Sequence, residues 1–97
     1  MDDAVKVAPH VYKVLVDNDR VRVLEARMKP GEKTTMHSHP AVVAYGVNDG
    51  KYKFTSPDGQ SMDIEMSAGQ AMYMDSVEHA TENTGSTEGL VILIELK

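Results

Sequence analysis

The chain predicts one all-β domain, a small antiparallel sandwich or barrel, on three observations. Turn-forming residues recur at about the 8–12-residue spacing of such folds. Between the turns, apolar and polar residues alternate, as in strands that bury one face. No segment shows the sustained period of about 3.6 residues that an amphipathic helix needs. The turn clusters fall at residues 17–19, 30–31, 48–50, 56–59 and 83–86.

Length and composition limit the functions to consider. Ninety-seven residues are enough for one domain with one modest core. The 15 acidic and 10 basic residues give a formal charge of -5, which argues against nucleic acid or an anionic membrane as a partner. The chain has no cysteine, which excludes disulfides and thiolate metal sites. No signal peptide or membrane span is visible, so we expect a cytoplasmic protein.

The elements can be placed in order along the chain. The first ten residues have no clear period, and we interpret residues 1–10 as an N-terminal arm or an edge strand of a single domain over residues 1–97. Each expected strand that follows is bounded by turn residues. These strands cover residues 11–16, 21–28, 41–47, 51–55, 62–66, 70–74 and 90–96.

Two of these strands indicate how the core is built. Tyr52 and Phe54 alternate with Lys51 and Lys53, so the two aromatic residues are expected to face the interior. The last run, residues 90–96, is almost continuously apolar. Such a run is typical of a strand that is buried on both faces.

Two histidines one residue apart, His37 and His39, carry the clearest chemical signal. They follow a Pro-Gly turn, and in an extended strand both would point to the same face. Two imidazoles placed in this way can bind one metal ion at about 2.0–2.1 Å, a ligand type that suits zinc, iron, copper or nickel. The pair alone is weak evidence, because surface histidines often fall at this spacing by chance.

The residues around the pair strengthen this signal. The stretch from Gly31 through five residues to His37 and His39, and on to Gly50, resembles the first motif of the cupin superfamily. That motif is Gly-x5-His-x-His-x3–4-Glu-x6-Gly. Its glutamate position falls on Val43, which cannot bind a metal.

The second cupin motif is resembled more loosely. Gly69 and the interval from His79 to Asn83 match it, but the Pro-x-Gly before its histidine is missing and the spacing is one residue short. The resemblance implies a small antiparallel jelly-roll (cupin) barrel. It also implies that His37, His39 and His79 bind one divalent transition metal, with Fe(II) favoured and Zn, Ni, Cu or Mn as alternatives.

The missing glutamate changes the chemistry that the resemblance implies. Three neutral imidazoles leave a divalent ion its full charge, so the site favours anionic oxygen chelators such as enolates, diketonates and keto acids. Positions left open on the ion can take substrate, water or O₂. The chain is similar to cupins that cleave β-diketones, which implies a non-haem metal dioxygenase acting on a small dicarbonyl or related oxygen-chelating substrate.

Strand parity predicts the rest of the substrate pocket. Val43 and Tyr45 lie four and six residues after His39, so both are expected to point inward with the ligands. Tyr45 is a candidate catalytic residue, although a pocket wall is the plainer interpretation. Phe54 and Met74 are expected to complete the pocket.

Other interpretations stay open at this stage. The metal could act as a Lewis acid in an isomerase or lyase, although no general base stands at a motif position. The barrel could also be a non-catalytic small-molecule-binding module, with or without metal among its histidines. His10 lies outside both motifs and is expected to be exposed or structural. We expect a homodimer that buries an edge strand or the N-terminal arm, and no nucleic-acid or membrane partner.

Overall fold

The computed structural model describes residues 3–97, which form two antiparallel sheets that face each other. The five-stranded sheet has the order β1-β2-β9-β4-β7, and the four-stranded sheet has the order β3-β8-β5-β6. The predicted all-β jelly-roll barrel is confirmed. The elements are one helical turn, α1 (Ala4–Val7), and the strands β1 (Tyr12–Asp17), β2 (Val21–Met28), β3 (His37–His39), β4 (Val42–Gly46), β5 (Gly50–Thr55), β6 (Ser61–Met66), β7 (Ala71–Met74), β8 (Val77–Asn83) and β9 (Gly89–Leu96).

The core lies between the two sheets and follows the expected alternation. On β2 the side chains of Leu24, Ala26 and Met28 are buried, whereas their neighbours face outward. On β5, Tyr52 is buried and Phe54 packs against the core, as predicted. No helix among residues 3–97 has the length and apolar character that crossing a membrane requires.

The last strand differs from its prediction. Only one face of β9 is fully buried, and it carries Leu93 and Glu95. Ile92 and Ile94 are half-buried on the outer face of the sheet. The apolar run therefore does not mark a strand covered on both sides, because nothing in the described chain covers its outer face completely.

Apolar residues cross that outer face from one edge of the five-stranded sheet to the other. The strand register places Val16 beside Val23, Val23 beside Ile94, Ile94 beside Val43 and Val43 beside Tyr73. We call these five residues the outer row. At its two ends, Val16 is 47% exposed and Tyr73 is 57% exposed.

Where the structure describes it, the N-terminal segment forms a single bridge from Asp3 to Ser38 of β3 and then a helical turn, and not an extended edge strand. Residues 4–7 form α1, whose first turn is closed by hydrogen bonds from the amides of Lys6 and Val7 to the Asp3 carbonyl. The edge-strand interpretation fails because Ala4 and Ala8 are small enough to be buried against the barrel. Residues 1–2 of the expected arm lie outside the described residues.

Strand β8, which carries the second motif, was not among the expected strands. It ends at Asn83, a residue of that motif, and the Asn83 side chain is buried. Its Nδ2 donates to the carbonyls of Met28 at 2.9 Å and Thr87 at 3.0 Å, and its Oδ1 accepts from the Gly85 amide at 2.9 Å. Asn83 thus connects the four-stranded sheet to the end of β2.

Candidate metal centre

The three predicted ligands come together on the inner face of the four-stranded sheet. His37 and His39 alternate on β3 and are both buried. β8 pairs with β3 so that His79 lies directly opposite His37. Each histidine offers a ring nitrogen that lies within 4.8 Å of those offered by the other two. Three histidines are therefore positioned to bind one metal ion.

The ring of His37 has a hydrogen-bond partner at each nitrogen. Nδ1 lies 2.8 Å from the Thr35 carbonyl, and because a carbonyl only accepts, Nδ1 carries the proton. Nε2 therefore accepts a hydrogen bond from the Tyr12 hydroxyl at 3.1 Å. A metal ion that uses His37 Nε2 must displace this hydroxyl. Burial lowers the pKa of His37, which favours the neutral imidazole that a metal needs.

His79 has no such partners. Both of its ring nitrogens are buried and find no hydrogen-bond partner among the described residues. Burial first, and then the neighbouring His37 and His39, lower the pKa of His79 to about 3, so its imidazole is neutral at pH 7. Buried polar atoms are nearly always paired in native proteins. A metal ion bound to one of these nitrogens would supply its missing partner, so the residues present fit the metal that the cupin motifs imply.

His39 is held by a residue that the sequence analysis missed. Its Nδ1 lies 2.7 Å from Glu95 Oε2, and this carboxylate is buried between the sheets. The other carboxylate oxygen, Oε1, accepts from Arg22 Nε at 2.7 Å. A lone acidic residue at an inward-facing position of an apolar strand was the available signal, since Glu95 is in phase with the buried Leu93.

Val43 and Tyr45 are not in the pocket, contrary to the parity argument. On β4 the buried positions are Val42, Ala44 and Gly46, and Tyr45 is 44% exposed. Parity failed because the chain leaves one sheet and enters the other between β3 and β4, around Pro40, so alternation cannot be counted across this break. Tyr45 is therefore withdrawn as a catalytic candidate.

The phenol that does stand beside the ligands is that of Tyr12, on β1. Besides its bond to His37, its ring packs edge-on against His37 and His39, with centroids 5.3 and 5.6 Å apart. Burial, with a smaller effect of the Glu95 charge, raises the pKa of Tyr12, so its hydroxyl stays protonated. No motif marked Tyr12, because it precedes the first motif by about twenty residues.

A mostly apolar cavity of about 60 Å³ adjoins the histidines. Phe54 and Met74 line it as predicted, and the Phe54 ring packs on His79 with centroids 4.5 Å apart. None of its lining residues is a carboxylate or a lysine. The lining residues are Tyr12, Ala26, Met28, His39, Ala44, Tyr52, Phe54, Ile64, Met66, Met72, Met74, His79, Thr81, Val91 and Leu93.

The fourth histidine takes no part in this site. The His10 side chain is 52% exposed, and its Nε2 lies 4.0 Å from Glu32 Oε2. Glu78, next to His79 in sequence, is exposed on the opposite face of β8. The exposure of His10 agrees with the sequence analysis.

Comparison with known proteins identifies the family. Residues 24–95 match the cupin domain family. The crystal structure of a cupin domain from Bordetella pertussis Tohama I is 31% identical, with 90% of this chain and 92% of that chain covered and a TM-score of 0.82. No curated protein matches the chain in sequence. The fold and the histidine cluster are those of a small β-barrel with a candidate metal site, and the chain belongs to the cupin family.

More distant structures share the fold. A double-stranded β-helix protein from Klebsiella pneumoniae is 16% identical, with 89% of this chain and 75% of that chain covered and a TM-score of 0.71. An RmlC-like cupin from Methanocaldococcus jannaschii is 17% identical, with 89% and 78% covered and a TM-score of 0.70. At these identities the likeness concerns the fold alone.

Proposed function

We propose that this protein is a mononuclear metal-binding cupin that acts as a non-haem dioxygenase on a small dicarbonyl or related oxygen-chelating substrate. The observation that carries the proposal is the pair of buried, unpartnered nitrogens of His79 beside His37 and His39. When bound, the metal would supply Lewis acidity and a place for O₂ beside the substrate.

The charges around the histidines support an anionic chelating substrate. The three imidazoles carry no charge that would offset a divalent ion. The nearby carboxylate of Glu95 contacts both Arg22 and His39, so its two oxygens are already engaged, and the guanidinium, which Glu95 shares with Asp3, offsets part of its charge. The site therefore keeps a net attraction for enolates and diketonates, as expected for a cupin without the motif glutamate.

Two features of the pocket restrict the substrate further. The cavity is small and walled by apolar side chains, four of them methionines, so it suits a compact molecule with few polar atoms outside its chelating group. The Tyr12 hydroxyl is a neutral donor next to His37. Once a metal replaces it at His37, this hydroxyl is free to donate to an oxygen of the substrate.

Two alternative functions compete with oxygenation. A Lewis-acid isomerase or lyase needs a group that moves a proton, and the cavity lining contains no carboxylate or lysine to do so. A module that only binds a small apolar molecule is compatible with the same lining. Oxygen consumption separates both alternatives from a dioxygenase.

The proposal is tested first by metal content. Untagged protein is expected to carry about one metal ion per chain, measured by mass spectrometry of the metals. His39→Ala is expected to lose most of it, whereas His10→Ala keeps it. Equal metal content in the two variants would refute the site.

Activity is tested on the iron(II)-loaded protein. Anaerobic addition of acetylacetone, a β-diketone probe, is expected to produce a visible charge-transfer band, and admission of O₂ should consume oxygen and bleach the band. A protein that holds iron and binds acetylacetone but consumes no oxygen with β-diketones or keto acids would favour the binding module or the Lewis acid.

The expected homodimer stays a prediction, but its proposed interface changes. The N-terminal segment packs on its own barrel, so it is not free to pair with a partner. We expect a second copy to cover the outer row. The whole outer face of the sheet, five strands wide (about 24 Å) and about 20 Å long, would bury roughly 1,000 Å² over two copies. Light scattering of the wild type against Tyr73→Lys tests this: we expect a dimer that the variant dissociates, and a monomeric wild type would refute it.

A further inference from the structure

A buried carboxylate from the five-stranded sheet contacts one of the candidate ligands. Glu95 Oε2 lies 2.7 Å from His39 Nδ1, and both side chains are 2% exposed. We propose that Glu95 is a positioning residue that holds the His39 imidazole in the tautomer and orientation needed for metal binding. The inference rests on the proposed metal site and concerns how the chain orients its own ligand.

The contact determines which nitrogen of His39 is available. A carboxylate can only accept a hydrogen bond, so the proton of the neutral imidazole lies on Nδ1 and the lone pair on Nε2. Carboxylates that pair with metal-bound histidines in this way fix the tautomer and the ring orientation and make the ligand more basic. Glu95 thereby leaves Nε2 of His39 as the nitrogen offered to the metal.

Arg22 holds the carboxylate in place. Its Nε donates to Glu95 Oε1 at 2.7 Å, which leaves Oε2 for His39. On its other side the guanidinium contacts Asp3, with Nη1 donating to Oδ2 at 3.1 Å and Nη2 to Oδ1. A buried carboxylate without a compensating charge is costly, and the bridging guanidinium reduces that cost. The chain of contacts runs from Asp3 through Arg22 and Glu95 to His39.

The three histidines are held by different means, which makes the role of Glu95 separable. His37 is oriented by the backbone carbonyl of Thr35, which no side-chain substitution removes. His79 has no hydrogen-bond partner among the described residues. A substitution at Glu95 therefore removes the hydrogen-bond partner of one candidate ligand and of neither of the other two.

The test uses Glu95→Gln, which keeps the shape of the side chain and removes its charge. Glu88→Gln is the matched control, because Glu88 also pairs with an arginine, Arg27, but on the exposed surface. Binding of Co²⁺ is followed by its visible absorption, and ¹H–¹⁵N NMR of the metal-free proteins reports the tautomer of each histidine. We expect Glu95→Gln to bind Co²⁺ about 10- to 100-fold more weakly than the wild type, and Glu88→Gln to bind it equally well.

The NMR measurement separates positioning from a merely structural effect. In the wild type His39 is expected as the Nδ1–H tautomer, and in Glu95→Gln as a mixture of both tautomers while His37 keeps its own. Equal Co²⁺ affinity and an unchanged His39 tautomer in Glu95→Gln would overturn the inference and leave the metal site intact. A wild-type protein that binds no Co²⁺ would instead refute the metal site itself.

A second variant keeps the test decisive if Glu95→Gln does not fold. Arg22→Lys retains the positive charge but loses the planar guanidinium that bridges two carboxylates. It is expected to weaken Co²⁺ binding several-fold and to broaden the His39 signals. Wild-type affinity in this variant would overturn the inference.

Discussion

The two sheets of the barrel contribute to the metal centre in different ways. Within residues 3–97, the four-stranded sheet supplies the three candidate ligands, from β3 and β8. The five-stranded sheet supplies groups that hold them, Tyr12 and Glu95, which lie 25 and 56 residues along the chain from the histidines they contact. Ligand identity is thus encoded in local motifs, whereas ligand orientation depends on how the two sheets close on each other.

The largest effect that distinguishes the two sheets is expected from removal of a candidate ligand of the four-stranded sheet. His79→Ala deletes one of three donors of the four-stranded sheet and is expected to weaken Zn²⁺ binding on the order of a thousandfold, more than the roughly 10–100-fold expected for residues that only support ligands. Isothermal titration calorimetry measures the change, with His10→Ala as the control. A loss of less than tenfold would remove His79 from the ligand set.

The connection between the sheets is tested at Asn83. Asn83→Ala removes three hydrogen bonds and leaves two carbonyls and one amide of the chain without this partner. We expect the free energy of unfolding of the metal-free protein to fall by about 2–4 kcal/mol. Urea denaturation measures it. Asn18→Ala, which removes contacts in an exposed turn, should cost about 1 kcal/mol or less, and equal losses in both variants would contradict the connecting role.

Acid is expected to destabilise the fold through His79, a residue of the four-stranded sheet. The pKa of His79 is about 3 in the folded protein and about 6.5 in an unfolded chain, so between these values the unfolded state binds a proton that the folded state does not. The free energy of unfolding of the metal-free protein should therefore fall as the pH drops below about 6.5, by up to about 1.4 kcal/mol per pH unit from this histidine.

The measurement compares urea denaturation at several pH values from 7 to 5 in the wild type and in His79→Leu. The variant lacks the titrating imidazole, so its stability should depend less on pH over this range. The same pH dependence in both proteins would mean that His79 is not held neutral by its surroundings.

The smallest effect on metal affinity is expected from removal of the Tyr12 hydroxyl. Tyr12→Phe removes a hydroxyl that a metal must displace from His37 Nε2, so metal alone should bind about two- to tenfold more tightly, which corresponds to the roughly 0.5–1.5 kcal/mol of one hydrogen bond. Tyr45→Phe, on the outer face, should leave the affinity unchanged. Weaker metal binding by Tyr12→Phe would show that its hydroxyl supports the bound state.

Much of the fold follows from turn chemistry and alternation. The strand with Leu24 and Ala26 and the strand with Tyr52 and Phe54 are found as predicted, because each lies between clear turn residues and buries one face. Helix α1 was not predicted, because one turn of four residues is too short to show a helical period. Residues 77–83 were not recognised as a strand because their buried positions carry a histidine, a threonine and an asparagine instead of apolar side chains.

The residues of the candidate site that belong to the two sequence motifs could be predicted, and the side chains that hold them could not. The spacing of His37, His39 and His79 identified the three candidate ligands that the structure brings together. Val43 and Tyr45 were assigned wrongly because side chains alternate between the two faces only within one strand. The chain changes sheets between the histidines and these two residues, so the alternation starts anew. The contact of Glu95 with His39 required knowledge of how the two sheets face each other, because it joins residues of different sheets that lie 56 positions apart in the chain.

Strand β3 has only three residues and lies at the edge of its sheet, where it pairs with β8 and forms a single bridge from Ser38 to Asp3, yet it carries two of the three candidate ligands. Short edge strands open by local fluctuation far more often than the core does, so their amide hydrogens exchange with solvent early. His37 and His79 are opposite each other across the two strands, so one ion bound to both would link the edge to its neighbour. Opening of β3 would then require release of the ion, and the exchange rate of its amides would report how long the ion stays bound.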